Sequence, residues 1–368
     1  MKFLFVINDS SPTNIVHVRH TFREFVAEGA FSAYEEYPFR ERVVELGSVR
    51  RMESDLLATI STYRPDVLLW NQVSGTSLSK KFLEDLRLTI PDAVLIQETA
   101  DTYFSVPSAM LKVGRVFDMT LAGCGGLIPE FKKRGCNNVL LFPEKADHVR
   151  FGHPPKDSNS KQFDVVMIAN RLRIRNPFRA FNWPGKNPLY HMDGQNIRDQ
   201  LVKLFSERFG ERFAIFGYGW DGCKSAKGFL KFGDQEVILQ SSRISLGTNN
   251  FNNVNYYFSN RVPNSLISGI PHLCKRSKGI ECFFRDKEHC FFFDTPEEAL
   301  NKAEWLLDQS DSFLAEIGEN GKRVVLEKHT ARVRYEYLIE LIRAFRKKSL
   351  HSISPEYFLE VPTGFTVL

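Results

Sequence analysis

Apolar and polar positions follow two rhythms along this chain. Short, nearly continuous apolar runs alternate with stretches in which apolar residues return every three or four positions, the pattern of buried strands joined by amphipathic helices. In the first half the runs predict strands over Lys2–Asn8, Arg42–Gly47, Asp66–Gln72, Asp92–Thr99, Met119–Cys124 and Asn137–Glu144. Helical patterns lie between most of them, as in Glu53–Tyr63, where Leu56, Leu57 and Ile60 share a side and Pro65 opens the next strand. From Asp147 to Gln162 the sequence turns polar and rich in Pro, Ser, Asn and Lys, which predicts a linker. The rhythm then restarts with strands over Phe163–Asn170, Arg212–Gly217, Glu236–Gln240, Ile244–Gly247, Ile270–Lys275 and His289–Asp294. Helices are predicted near Asn196–Phe209, Pro296–Asp308 and Asp311–Glu327, and a last one over Thr330–Lys348.

Strands alternating with helices predict an α/β fold with largely parallel sheets. The expected organisation is a Rossmann-like domain over residues 1–150, a second over 151–329, a helix over 330–348 packing back across the junction, and a tail over 349–368 trailing on the surface. Two such sheets facing across a cleft would present their C-terminal edges to it, where ligands of such sheets bind.

Composition narrows the class. A chain of 368 residues exceeds one ordinary core, and 43% hydrophobic with 25% charged residues is that of a globular protein. The apolar start, Met1–Asn8, is too short for a signal peptide, and no run approaches a bilayer-spanning length, so a soluble cytoplasmic protein is expected. The 6 cysteines form no C-x-x-C pair, which argues against a zinc ribbon and a disulfide framework. A net charge of +5 permits phosphate-bearing substrates without establishing nucleic-acid binding. The segment Lys186–Arg198, with Tyr190, His191 and nearby Trp183, mixes aromatic and basic residues, but a solvated insertion loop is the plainer reading.

Candidate chemistry centres on Ser259–Leu273. A helix opened by Asn264 and Ser265 would offer free backbone N–H groups to an anionic phosphate, with Arg261 adding a fixed charge. Arg171, Arg173 and Arg175 follow a predicted strand and could offset charge on a diphosphate leaving group. In Phe216-Gly-Tyr-Gly-Trp220 the glycines let the backbone turn tightly, making Gly217 and Tyr218 candidates for base or ribose contact. No Asp-x-Asp occurs, so a metal-independent site is expected, with arginines and helix ends in place of a cation. For proton transfer, Asp101 ends a predicted strand, and His17 and His20 lie in the first strand-to-helix segment. His329 reads as structural. A nicotinamide-dependent dehydrogenase is disfavoured, because Asp-Ser-Ser-Pro and not a glycine fingerprint follows the first strand.

Seven ordered pieces then carry a resemblance: Asp164–Arg171, Phe216–Trp220, Ser242–Asn249, Asn260–Pro271, Lys278–Phe284, Pro296–Leu300 and Glu327–Arg334. Together they resemble the CgeB-type family of GT-B glycosyltransferases, related to the group-1 retaining enzymes. The first half resembles the family more loosely, through Arg64–Leu69, Glu98–Asp101 and Gly123–Ala146. The resemblance implies a nucleotide-diphosphate sugar, UDP-sugar favoured, held by the second domain, and an acceptor hydroxyl approached from the first. That acceptor would belong to a glycan, a protein or a hydroxymethylated DNA base. It also implies donor contacts from Asn170, Arg171, Arg173, Gly217, Tyr218, Asn249, Arg261, Asn264 and Ser265, with no separate cofactor. Relatives carry a glutamate at the position of Asn264, held to bind the ribose hydroxyls; an asparagine can hydrogen-bond a hydroxyl both as donor and as acceptor. The wider group's Glu-x7-Glu pattern lacks both acids here, at Tyr256 and Asn264. That departure motivates a second reading, a non-catalytic nucleotide- or sugar-binding protein that keeps the fold.

Overall fold

The computed structural model describes residues 1–8, 11, 13, 15–71, 77–99, 105–154, 161–171, 193–353 and 358–360. Contacts divide the chain into two compact units, Met1–Pro143 with Tyr335–Ile353, and Glu144–Arg334 with the segment that includes Phe358–Glu360.

In the first unit the order is β1 (Lys2–Ile7), α1 (Val16–Ala27), β2 (Ala33–Pro38), α2 (Phe39–Leu46), α3 (Val49–Tyr63), β3 (Val67–Asn71), α4 (Lys80–Thr89), β4 (Val94–Thr99), α5 (Ser108–Gly114), β5 (Met119–Ala122), α6 (Ile128–Lys133) and β6 (Val139–Leu141). The strands pair in parallel in the order β2-β1-β3-β4-β5-β6. Phe3–Ile7 and Val67–Trp70 are buried throughout, as strands covered by helices on both faces must be. Serine caps start two of the covering helices: Ser48 accepts from Arg51 N–H, and Ser79 accepts from Phe82 N–H.

The second unit runs β7 (Phe163–Ile168), α7 (Asp193–Phe209), β8 (Phe213–Phe216), α8 (Gln235–Gln240), β9 (Ser242–Gly247), α9 (Arg261–Ile267), β10 (His272–Lys275), β11 (Phe291–Phe293), α10 (Pro296–Leu307) and α11 (Asp311–Lys328). Its sheet is parallel, in the order β11-β10-β9-β7-β8. Helices α7, α10 and α11 lay Leu201, Phe205, Ala303 and Ile317 on one core with β7, β8 and β9. A final helix, α12 (Ala331–Arg346), has its residues from Tyr335 onward in the first unit. There the Tyr335 hydroxyl donates to Glu98 Oε2 at 3.1 Å, and its ring meets Phe22 edge-on. No helix among the described residues is long and apolar enough to cross a membrane.

The α/β reading holds, with local corrections. Arg42–Gly47, expected as a strand, is the end of helix α2; Val44 is 82% exposed and Arg42 pairs with Glu45 and Asp55. The strand itself is Ala33–Pro38, an edge strand whose glutamates hid it. Glu236–Gln240 is likewise helical, because Glu236 turns inward to accept the N–H groups of Gly152 and His153. The expected linker is folded where it is described: Asp147 and Phe151 are buried, and Asp147 N–H donates to Asn264 in the second unit. The tail does not trail free at Phe358–Glu360. Phe358 is fully buried under the Arg334 guanidinium, Glu360 pairs with Lys328 at 2.6 Å, and its N–H donates to Cys282 O.

Candidate functional site

In the second sheet the strand order turns back between β7 and β9. Chains leaving their C-terminal ends diverge there, one toward β8 and one toward β10, which opens the crevice where such sheets bind ligands. A cavity of about 200 Å³ lies at this point. Ile168, Ala169 and Asn170 enter it from the end of β7, and Gly217 from the end of β8; Phe229, Leu230 and Phe232 form an apolar wall. Asn260, Arg261 and Asn264 come from the start of α9, and Gln235 from α8; among the described residues no carboxylate lines it.

The loops are tied to one another. Asn170 Oδ1 accepts from Tyr218 N–H at 2.9 Å, and the Trp220 indole donates to Ala169 O at 2.7 Å. Gly217 has φ +141°, and a Cβ there would stand 2.4 Å from Ala169 O, so only glycine lets the β8 loop lie this close. Tyr218 is 60% exposed and stacks on Phe229, ring centroids 4.6 Å apart. Arg171 is held away from a free role, its Nε on Asp199 at 2.8 Å and its guanidinium over Trp220.

Two guanidinium groups meet beneath the cavity. Arg198 on α7 is fully buried and donates to Asn170 O at 2.6 Å and to Asn250 Oδ1 at 3.0 Å. Arg261 donates to the same Asn250 oxygen at 3.3 Å and to Thr248 O at 3.4 Å. Among the described residues each keeps a buried Nε–H without a hydrogen-bond partner and neither forms an ion pair, although the charge of Asp199, itself paired with Arg171, is felt by Arg198. Burial, reinforced by the Arg261 charge, pulls the Arg198 guanidinium down to about 9, and burial lowers Arg261 as well. Arginine being effectively always protonated, the two are like charges that share one neutral acceptor.

Helix α9 begins at Arg261, not at Asn264. The Asn264 N–H is spent on Asn260 O, so the expected ring of free N–H groups at Asn264 and Ser265 does not exist. Both side chains sit instead inside a seven-residue helix. Asn264 Oδ1 accepts from Asp147 N–H at 2.8 Å. Ser265 lines a smaller void of about 20 Å³ with Ser245, His272, Arg261 and Asn264, room for a single water. His272 is held neutral, its ring pushed down to about 3 by burial, with Nδ1 against the Ser245 hydroxyl at 2.8 Å. Asn249 is wholly buried and clamps the loop after β9, its Oδ1 accepting from Ser259 N–H at 2.8 Å.

The remaining expectations fall elsewhere. His17 and His20 lie on α1 in the first unit, His20 half-exposed and beside Glu24 at 3.2 Å. Asp101, Arg173 and Arg175 lie outside the described residues, as does most of Lys186–Arg198. His329 caps α11, enclosed by Phe258, Phe283 and Phe284 and touching Arg334 at 2.6 Å. Among the described residues no group of three or more His, Cys, Asp or Glu side chains stands ready to hold a metal ion.

Residues 196–340 match the glycosyl transferase-like family model. Comparison with curated protein sequences gives no match. Among solved structures, HepE from Anabaena in complex with UDP and glucose is similar with a TM-score of 0.60 at 12% identity, covering 94% of this chain and 100% of that one. Sucrose-phosphate synthase from Thermosynechococcus elongatus gives 0.60 at 12%, over 95% of this chain and 100% of that one. The N-terminal domain of trehalose-6-phosphate phosphatase from Candida albicans gives 0.62 at 9%, over 93% and 96%. The chain has the α/β GT-B fold of glycosyltransferases. At these identities the likeness carries architecture, and function must come from the site.

Sequence reasoning missed Arg198, Asn250 and the apolar wall. One signal was present: Arg198 occupies the same helix face as Leu201, Val202 and Phe205, where a charge is out of pattern.

Proposed function

We propose that this chain is a glycosyltransferase of the CgeB type, which binds a nucleotide-diphosphate sugar in the cavity of its second unit and moves the sugar to an acceptor hydroxyl. The observation that carries the reading is the pair of buried guanidinium groups, Arg198 and Arg261, which share Asn250 Oδ1 at the strand-order turn and, among the described residues, form no ion pair. Buried cations need a partner, and a diphosphate supplies it. The apolar wall of Phe229, Leu230 and Phe232 suits the face of a base, and a uridine diphosphate is favoured, as found with HepE. In the transfer the anomeric carbon–phosphate oxygen bond breaks and the acceptor oxygen takes its place with retention. The acceptor proton passes to a base, for which Asp101 is our choice, with His17 and His20 as acceptor contacts. The two arginines offset the charge that grows on the leaving diphosphate without a metal ion. A glycan or protein hydroxyl is the acceptor we favour over a modified DNA base, the net charge of +5 being modest.

That no carboxylate among the described residues lines the cavity also favours a second reading, a binding protein without turnover. Thermal melting with UDP, GDP and dTDP, followed by transfer assays with their sugars, separates the two. We expect a nucleotide at a hundredfold excess over its Kd to add about 2.7 kcal/mol of stability, and Arg261→Ala to abolish that gain. Stabilisation without transfer to any acceptor would leave the binding-protein reading; no stabilisation by any nucleotide would end both.

A further inference from the structure

We infer that Asn264 is a specificity-determining residue that recognises its ligand as a hydrogen-bond donor, its amide nitrogen meeting a phosphate oxygen beside Arg261. The inference rests on the proposed nucleotide-diphosphate site and fixes how one of its residues reads the ligand.

An asparagine amide is ambiguous until a neighbour of known polarity settles which end is which. Here the neighbour is the backbone N–H of Asp147, which can only donate, at 2.8 Å. The carbonyl oxygen of Asn264 therefore faces Asp147, and the NH2 faces the other way. That nitrogen has no partner among the described residues, while Asn264, 4% exposed, lines both the main cavity and the smaller void. With one carbonyl lone pair used by Asp147 and the oxygen turned toward it, the end of the amide that faces away is the NH2, with two N–H bonds to give.

Position on the helix selects the group it meets. Arg261 and Asn264 are three residues apart on α9, so they share a face at a separation of about 5–6 Å. An anion drawn to Arg261, which lines the same cavity, lies within reach of the amide. A carboxylate at position 264 would do the opposite, keeping the Asp147 bond through one oxygen and turning the other, charged, toward Arg261. It would become the counter-ion that the ligand otherwise supplies.

Asn264→Asp is the isosteric test, with UDP, inorganic pyrophosphate and uridine titrated calorimetrically against the full chain. We expect UDP and pyrophosphate to bind at least about tenfold more weakly, a charge-assisted bond having been replaced by repulsion. Uridine binding should be unchanged, and the unliganded melting temperature unchanged or higher. A purely structural role for Asn264 predicts a lower melting temperature and equal losses for all three probes, which would overturn the inference. So would unchanged or tighter UDP binding, the result expected if residue 264 accepts from a ribose hydroxyl. If wild-type protein binds pyrophosphate as well as UDP and the variant loses both, the inference stands while the nucleotide-sugar reading falls. If wild-type protein binds none of the probes, both fall.

Discussion

Gly217 is the residue at which the site tolerates least. A Cβ would meet Ala169 O at 2.4 Å and the φ of +141° is costly for any L side chain, so Gly217→Ala should destabilise by about 2 kcal/mol or more. Gly222→Ala is the control: its φ is +86°, but nothing lies within 4 Å, and the loss should be about half. Urea unfolding of the two variants gives the comparison; equal losses would mean that the β7–β8 loop approach is not tight. The contrast marks what sequence can say about single residues. The glycines of Phe216–Trp220 were legible as a close backbone approach, and Arg261 as a fixed charge. The polarity of Asn264 was not, since it depends on an N–H donor 117 residues away. Arg198 was illegible for a related reason: its partners, Asn170 and Asn250, come from loops that only the closed sheet brings together.

Elements buried on both faces announce themselves and elements at edges do not. Strands β1, β3, β4, β7 and β9 appear as apolar runs because helices cover them above and below. Strand β2 carries Glu35 and Glu36 because its outer edge meets solvent, and Val43-Val44 in the next helix then mimics the missing strand. The C-terminal segment is a further case, since no periodicity marks a short stretch held by a few specific contacts. Phe358 fills its place under Arg334, centroid to guanidinium carbon 3.9 Å, while Lys328 holds both Glu360 and Leu359 O. Phe358→Ala should therefore cost about 3–5 kcal/mol, measurable by denaturant unfolding. An unaltered midpoint would show that the segment contributes nothing to the second unit.

At the scale of the whole molecule, acid is the expected weakness. Burial holds His272, His289 and His329 below the ordinary histidine value of 6.5 in the folded protein. Below that value the unfolded chain takes up protons that the native chain refuses, so stability falls as pH drops. Each histidine contributes roughly 1.4 kcal/mol per pH unit within its window. For His272 the window runs from 6.5 down to about 3. Unfolding free energies at pH 7, 6 and 5 should decline steadily, before most carboxylates titrate; a flat profile would refute the neutral, buried state of these rings. The guanidinium pair under the cavity has a separate bearing on the life of the molecule. On the proposed reading, an anion bound beside the two guanidinium groups that share Asn250 Oδ1 would complete the interior of the protein as well as its site. Such a chain would open most readily, and be cleared by proteases soonest, when that anion is scarce. On the proposed reading its abundance would then follow the supply of its own ligand.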